Sequence, residues 1–429
     1  MQALLSYDQS PPLSAPLRFF LTAPLFLVLA GALAVLEGEA LFASRWTPAA
    51  LAATHLVTAG FMLQIMVGAL IQILPVLAGA NLARPRLIAG IVHPGLALGA
   101  LALALGFLQS APGWLHAAGV MLGGSLTVFI GAAGLAIFRV PSTSPSIRGL
   151  KLSVIALAVT VASGLFMLLA LAGGWAVALM PLADLHAAWG LGGWAGILLA
   201  AVAYVVVPMF QLTPGCPAKP AWRFPLLLMA ALLLWSLAWA VSAEALQRLA
   251  QAALAIGGLL FVGQTMKLQA ARRRARPDST FRYWQGALYA SLLALLMLLA
   301  SAVHPPLAGV PAWMGVFGVL ILLAGLSAFI IGMLYKIVPF LLWLHLQPLA
   351  RPGKPVPPMN KLLADKDGLG QWRLYLAALL LAVAAAIRPD WLAVPAGLCL
   401  MATAGWLWWN LAVGARNYRR ARLAAVSGA

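Results

Sequence analysis

Long apolar runs, each closed by a short polar connection, dominate the chain. Runs of spanning length fall at about 18–42, 50–78, 87–109, 113–138, 150–174, 183–211, 223–243, 246–267, 282–303, 313–343, 373–389 and 391–413. A helix needs about 20 mainly apolar residues to cross a hydrocarbon layer of ~30 Å, and runs of this length meet or approach that. The pattern predicts an all-α membrane protein, one transmembrane domain over residues 1–429 with twelve spanning helices. No cleavable leader is expected, because residues 1–17 hold Asp8, several prolines and no basic residue.

Composition agrees. With 63% hydrophobic and 8% charged residues, the chain has too few charges to cover a water-soluble globule. The net charge of +18 changes the picture only through placement. If the runs alternate in direction, all but three of the 27 basic residues fall on one side, the exceptions being Arg45, Arg248 and Arg388. The positive-inside rule then puts both termini in the cytoplasm. The basic run Ala271 to Pro277 is read as topology and attraction to anionic headgroups of the lipid bilayer, not as a nucleic-acid site. The Pro-rich connection 347–371, including Arg351 and Lys354, is expected to be solvated, with Lys361 to Lys366 at the interface. Cys216 and Cys399 are too far apart for a metal or redox spacing.

One motif recurs. Gly68 to Leu77 reads GALIQILPVL, Ala201 to Phe210 reads AVAYVVVPMF and Gly332 to Leu341 reads GMLYKIVPFL. The aligned Pro75, Pro208 and Pro339 are 133 and 131 residues apart, at the same ends of spans 2, 6 and 10. A period of four helices gives parallel repeats, about 18–138, 150–267 and 282–413, and three pseudo-symmetric four-helix arcs about an axis along the membrane normal. Chance recurrence among 29 prolines is the competing account.

A twelve-helix bundle of three such arcs resembles subunit I of the heme–copper oxidases and reduced relatives of that subunit, the NnrS-type nitric-oxide-response membrane proteins. The likeness is carried by Arg18-Phe19-Phe20, by Trp46 and His55 leading into span 2, by the Gly68–Pro75 motif and by His186 at the head of span 6. It implies a bacterial-type inner (plasma) membrane protein with heme b, in electron transfer, nitric oxide or oxygen response, or metal handling. The partners it implies are respiratory-chain or periplasmic electron-transfer proteins.

His55 lies nine residues past Trp46, ~13 Å into the bilayer at 1.5 Å per residue. That is where the family places heme iron, so a neutral imidazole there is an axial-ligand candidate; a hydrogen-bonded structural role competes. His186 is the second candidate. Asp184, two residues before it, would cap the helix or orient a ligand, and Gly190, Gly192, Gly193 and Gly196 would admit a flat macrocycle or a neighbouring helix. His116, opening span 4 beside Trp114, is the third. His93 is assigned to the carbonyl freed by Pro94, with a second ligand site as the alternative. His304 is expected in an outer loop, and His345, with Tyr335 and Lys336, at an inner vestibule. Met62 and Met66 stand 7 and 11 residues after His55. On an α-helix that is one face, a stripe that suits soft copper, Cu(I), although methionine at helical spacing is more often packing.

The family pattern also breaks. Spans 7 and 10 hold no histidine in their apolar interiors, and Val319 stands where span 10 would match His55. No oxidase-type binuclear centre can form, and all nine acidic residues lie in connections or near helix ends. Oxygen reduction and proton pumping are therefore not assigned, and no catalytic residue is. Two other classes remain open, a cofactor-free transporter or channel lined by Gln64, Gln72, Gln211 and Tyr335, and an accessory factor of a respiratory complex.

Overall fold

The computed structural model describes residues 6–274, 276–350 and 355–427; Ala275 of the basic run, and Arg351 and Lys354 of the Pro-rich connection, lie outside them. Among the described residues, twelve helices are long and apolar enough to cross a membrane. They are α1 (Ser14–Leu41), α2 (Pro48–Ala78), α3 (Pro85–Gln109), α4 (Pro112–Phe138), α5 (Pro145–Gly173), α6 (Leu179–Gln211), α7 (Ala218–Ala240), α8 (Glu244–Ala270), α9 (Ser279–Val303), α10 (Pro311–Leu349), α11 (Asp365–Ile387) and α12 (Pro389–Val426). Six of them open on proline, whose missing N–H costs nothing in the first turn. Thr47, Ser144 and Asp278 cap α2, α5 and α9 through their side-chain oxygens.

Two spans outrun the hydropathy signal. α11 begins at Asp365, because a charged first turn scores as loop although it is helical. α12 is 38 residues long, roughly 57 Å at 1.5 Å per residue. It carries Arg416, Arg419, Arg420 and Arg422 well beyond a hydrocarbon layer of ~30 Å. The connection expected to be solvated is partly packed: Leu362 and Leu363 are buried, and Asp365 accepts hydrogen bonds from the backbone N–H (3.0 Å) and hydroxyl (2.7 Å) of Ser279.

Packing repeats every four helices. α1 packs on α2 and α3, α5 on α6 and α7, and α9 on α10 and α11; within each set the third packs on the fourth. α4 packs on α5, α8 on α9 and α12 on α1, which closes the ring. The last seam brings two backbones together. A Cβ at Gly31 would lie 2.8 Å from the Gly397 carbonyl oxygen, and one at Gly397 would lie 2.6 Å from that of Gly31.

Three π-helical stretches mark the same period. Leu56–Met62 in α2, Ala188–Gly196 in α6 and Val319–Ser327 in α10 end 13, 12 and 12 residues before Pro75, Pro208 and Pro339. π-turns are rare and concentrate at functional sites, so three in one register argue against chance recurrence of the prolines. Wider turns release carbonyls, which side chains then satisfy. The Gln64 amide donates to Gly60 O at 2.7 Å, and the Tyr375 hydroxyl to Leu323 O at 2.8 Å. α2 is the enclosed element, with 83% of its core buried against 28–56% in the other spans.

The N-terminal segment crosses the ends of the repeated helices. The Ser6 N–H donates to Val76 O, Tyr7 bonds to the Met209 sulfur and packs on Phe340, and the Pro11 carbonyl meets His345. Burial there pushes the Tyr7 hydroxyl above its ordinary value.

A buried polar network fills the third arc. Gln371 is fully buried, accepts from the Tyr283 and Tyr335 hydroxyls, and donates to the Thr403 hydroxyl at 2.8 Å. Asn410 donates to Tyr335 at 2.9 Å. Gln371→Leu is expected to leave the buried Tyr283 hydroxyl unpaired, to take one partner from each of the Tyr335 and Thr403 hydroxyls, and to cost roughly 2–3 kcal/mol. Thermal unfolding in detergent checks this, and an unchanged transition would show that the network carries no stability.

Candidate functional site

His55 ends the first α-helical part of α2, directly before the π stretch. Its Nδ1 lies 2.8 Å from the Leu51 carbonyl oxygen, one turn back. A carbonyl can only accept, so the neutral ring is held with its proton on Nδ1 and its lone pair on Nε2. No hydrogen-bond partner for Nε2 is found among the described residues. The ring is partly buried, in the most enclosed of the spans. Phe107 of α3 forms one wall, its ring centroid 5.2 Å from that of His55.

His186 is held in the same tautomer by different means. Its Nδ1 lies 3.1 Å from the Ser163 hydroxyl on α5. That hydroxyl has given its single proton to the Thr160 carbonyl at 3.0 Å, so it can only accept from Nδ1. Nε2 again has no partner among the described residues and carries the lone pair. Gly164 makes the placement possible, because a Cβ there would stand 2.9 Å from the His186 Cε1.

The two imidazoles belong to one region. His186 lies within electrostatic range of His55. The segment around His55 packs on α1, α3 and α10, and the segment around His186 on α5 and α7, without extensive packing between the two. At the α6 head Asp184 neither caps a helix nor orients His186; Arg45 takes it in a two-pronged pair at 2.5 and 3.2 Å. Arg45 also stacks over Trp46 at 4.3 Å, which ties the α1–α2 connection to the head of α6.

The remaining candidates go elsewhere. His116 is exposed at the head of α4. His93 bonds to the Thr22 hydroxyl at 2.8 Å and meets Phe19 edge-on, so its partner is on α1 and not the carbonyl freed by Pro94. His304 is exposed after α9. His345, Tyr335 and Lys336 do not form one vestibule: they bond to Pro11 and Leu341, to Gln371 and Asn410, and to Asp278 respectively. Of the glycines after His186, Gly193 is filled by helix packing against Ala156 and Leu232. Half-buried Cys216 has its thiol pushed up to about 11 by burial and stays protonated at neutral pH.

The π stretch also splits the His55–Met62–Met66 stripe. Each π residue advances fewer degrees about the axis than an α residue, so seven of them rotate the methionines off the His55 face. Met62 and Met66 instead line an apolar cavity of about 90 Å³ between α2, α6 and α10, with Leu198, Val202, Phe329 and Met333 among its other walls. The four residues of a polar pore are dispersed. Gln64 bonds within α2, Gln72 to Ser10, Gln211 to Gln269 at 2.9 Å, and Tyr335 within the third arc.

Sequence reasoning located both histidines but missed Ser163, Thr160, Gly164 and Phe107. The adjacent Ser163 and Gly164 in an otherwise apolar run were the available signal. Comparison with protein-family models and with curated proteins finds no match.

Proposed function

We propose that this multi-pass helical membrane protein holds a b-type heme between α2 and α6, that His55 and His186 would be the residues holding it, and that the protein transfers electrons. The single observation carrying this reading is the matched pair of imidazoles, each locked by a partner on Nδ1 and each left with a lone pair on an unpartnered Nε2. A ligating histidine normally donates its second ring N–H to a carbonyl or another acceptor, as Leu51 and Ser163 accept here. When bound, such a heme supplies one-electron redox chemistry at a potential set by its ligands and burial.

The protein's own part is orientation and exclusion. Leu51 and Ser163 fix the ring tautomers, Phe107 supplies an apolar wall, and the Arg45–Asp184 pair holds the outer connection to the head of α6. A heme held by two imidazoles would be suited to electron transfer rather than to nitric oxide or oxygen response or to metal handling. The scaffold in this reading is of the heme–copper oxidase subunit I and NnrS-like kind, in a bacterial-type inner membrane, exchanging electrons with respiratory-chain or periplasmic proteins. Oxidase activity is not part of it.

The test is a reduced-minus-oxidised absorbance spectrum of the purified protein, followed by carbon monoxide. Soret and α bands that carbon monoxide leaves unmoved are expected. No bands would remove the heme, and a carbon monoxide shift would show an open position and favour gas response.

A further inference from the structure

A second site lies apart from the histidines, where the charged ends of α8 and α9 meet. A cleft of about 610 Å³ opens there, walled by Lys267, Gln269 and Arg272 on one side and by Phe281, Arg282 and Gln285 on the other. Its volume falls within the roughly 300–1,000 Å³ typical of ligand sites. Among the described residues, three of its walls are cationic and none is acidic. The nearby carboxylate, Asp278, is already shared by Arg274 and Lys336, each at 2.7 Å.

The cations differ in their settings. The Arg272 guanidinium lies 3.8 Å from the Phe281 ring centroid, which sets the plane of its donor fork. Lys267 and Arg282 are exposed and form no ion pair among the described residues. Gln285 and Tyr289 add neutral hydrogen-bonding groups.

The faces leading out of the cleft are apolar and exposed. On α8, Leu260 and Ile256 follow Lys267 at helical spacing, 60% and 48% exposed. On α9, Leu293 and Leu296 follow Tyr289, 50% and 46% exposed. Cationic donors at a helix end with parallel apolar stripes running into the span make an amphipathic receptor. Free phosphate would use the donors and leave the stripes idle.

We propose that this cleft is a specific site for an anionic phospholipid, its phosphate held by Lys267, Arg272 and Arg282 and its acyl chains along α8 and α9. The lipid bridges the seam between the second and third arcs and is independent of heme.

Native mass spectrometry of the full chain, with phosphatidylglycerol, phosphatidylcholine or inorganic phosphate added to the detergent, tests it. Retained phosphatidylglycerol and no retained phosphatidylcholine are expected. The double variant Lys267→Gln, Arg282→Gln should lower phosphatidylglycerol affinity roughly 30-fold, about fivefold per charge. Arg416→Gln, Arg420→Gln, with the same charge change on the α12 extension, should leave it unmoved. Equal losses in the two double variants would mean diffuse attraction and overturn the site. So would equal retention of phosphatidylcholine. Inorganic phosphate that binds or displaces the lipid as well as phosphatidylglycerol itself does would assign the cleft to a soluble anion and overturn the lipid assignment.

Discussion

Purified His55→Ala protein is expected to carry less than half the heme of the unaltered chain and to lose the α band of its reduced spectrum. The expectation follows from the tautomer geometry. Leu51 O holds the Nδ1 proton, so the only lone pair His55 can offer iron is on Nε2, and alanine removes it. His186→Ala should behave alike, because Ser163 and Thr160 commit that ring in the same way. Ser163→Ala is the more telling variant. It keeps both ligands and removes only the group that orients one of them, which typically weakens metal binding by about 10–100-fold. Exposed His116, changed to alanine, should leave the spectrum as it was. Heme content and band shape across these four variants decide the matter, and wild-type spectra from both His55→Ala and His186→Ala would remove the site.

Asp278→Ala should be the most destabilising single change outside the histidine region. Its carboxylate is only 6% exposed and does three things at once. Oδ1 accepts the Phe281 N–H at 2.9 Å and so caps α9, while Oδ2 binds Arg274 and Lys336. Removing one partner of a buried pair costs about 3–5 kcal/mol, and losing the cap about 1 kcal/mol more. The Arg274 contact adds little, since that side chain is 45% exposed. The stranded Lys336 is the dominant cost, so adding Lys336→Met to Asp278→Ala should recover part of the loss. Unfolding temperatures of the three proteins in one detergent measure both effects. A double variant no more stable than Asp278→Ala would place the cost in the cap instead.

The helices were more legible than their interiors. In a bilayer every backbone polar group must be satisfied within its own span, so a span announces itself locally by length and apolarity. That is why all twelve runs appear as helices, and why the two misjudged ends, Asp365 and the tail after residue 413, are charged helical turns outside the apolar signal. The recurring prolines were legible too. The π stretches preceding them were not, because an α-helix and a π-helix differ by one hydrogen-bond register that neighbouring helices settle.

Of the candidate site, the places of His55 and His186 near the heads of the second and sixth runs could be read from the order of residues. Their partners could not. Ser163 stands 23 residues before His186 and Arg45 139 residues before Asp184. Met62 and Met66 were counted onto the wrong face because an α-helical period was carried through a π segment.

The order of apolar and polar residues alone was enough to set the number of spans, their approximate limits and the four-helix period, since those depend on each segment's own transfer from water to hydrocarbon. Tertiary structure alone decided which ring nitrogen of each histidine is held, which cations share Asp278, and that Lys267 and Arg282 face one cleft. Those outcomes rest on distances between side chains far apart in the chain, and such distances exist only once the helices have packed.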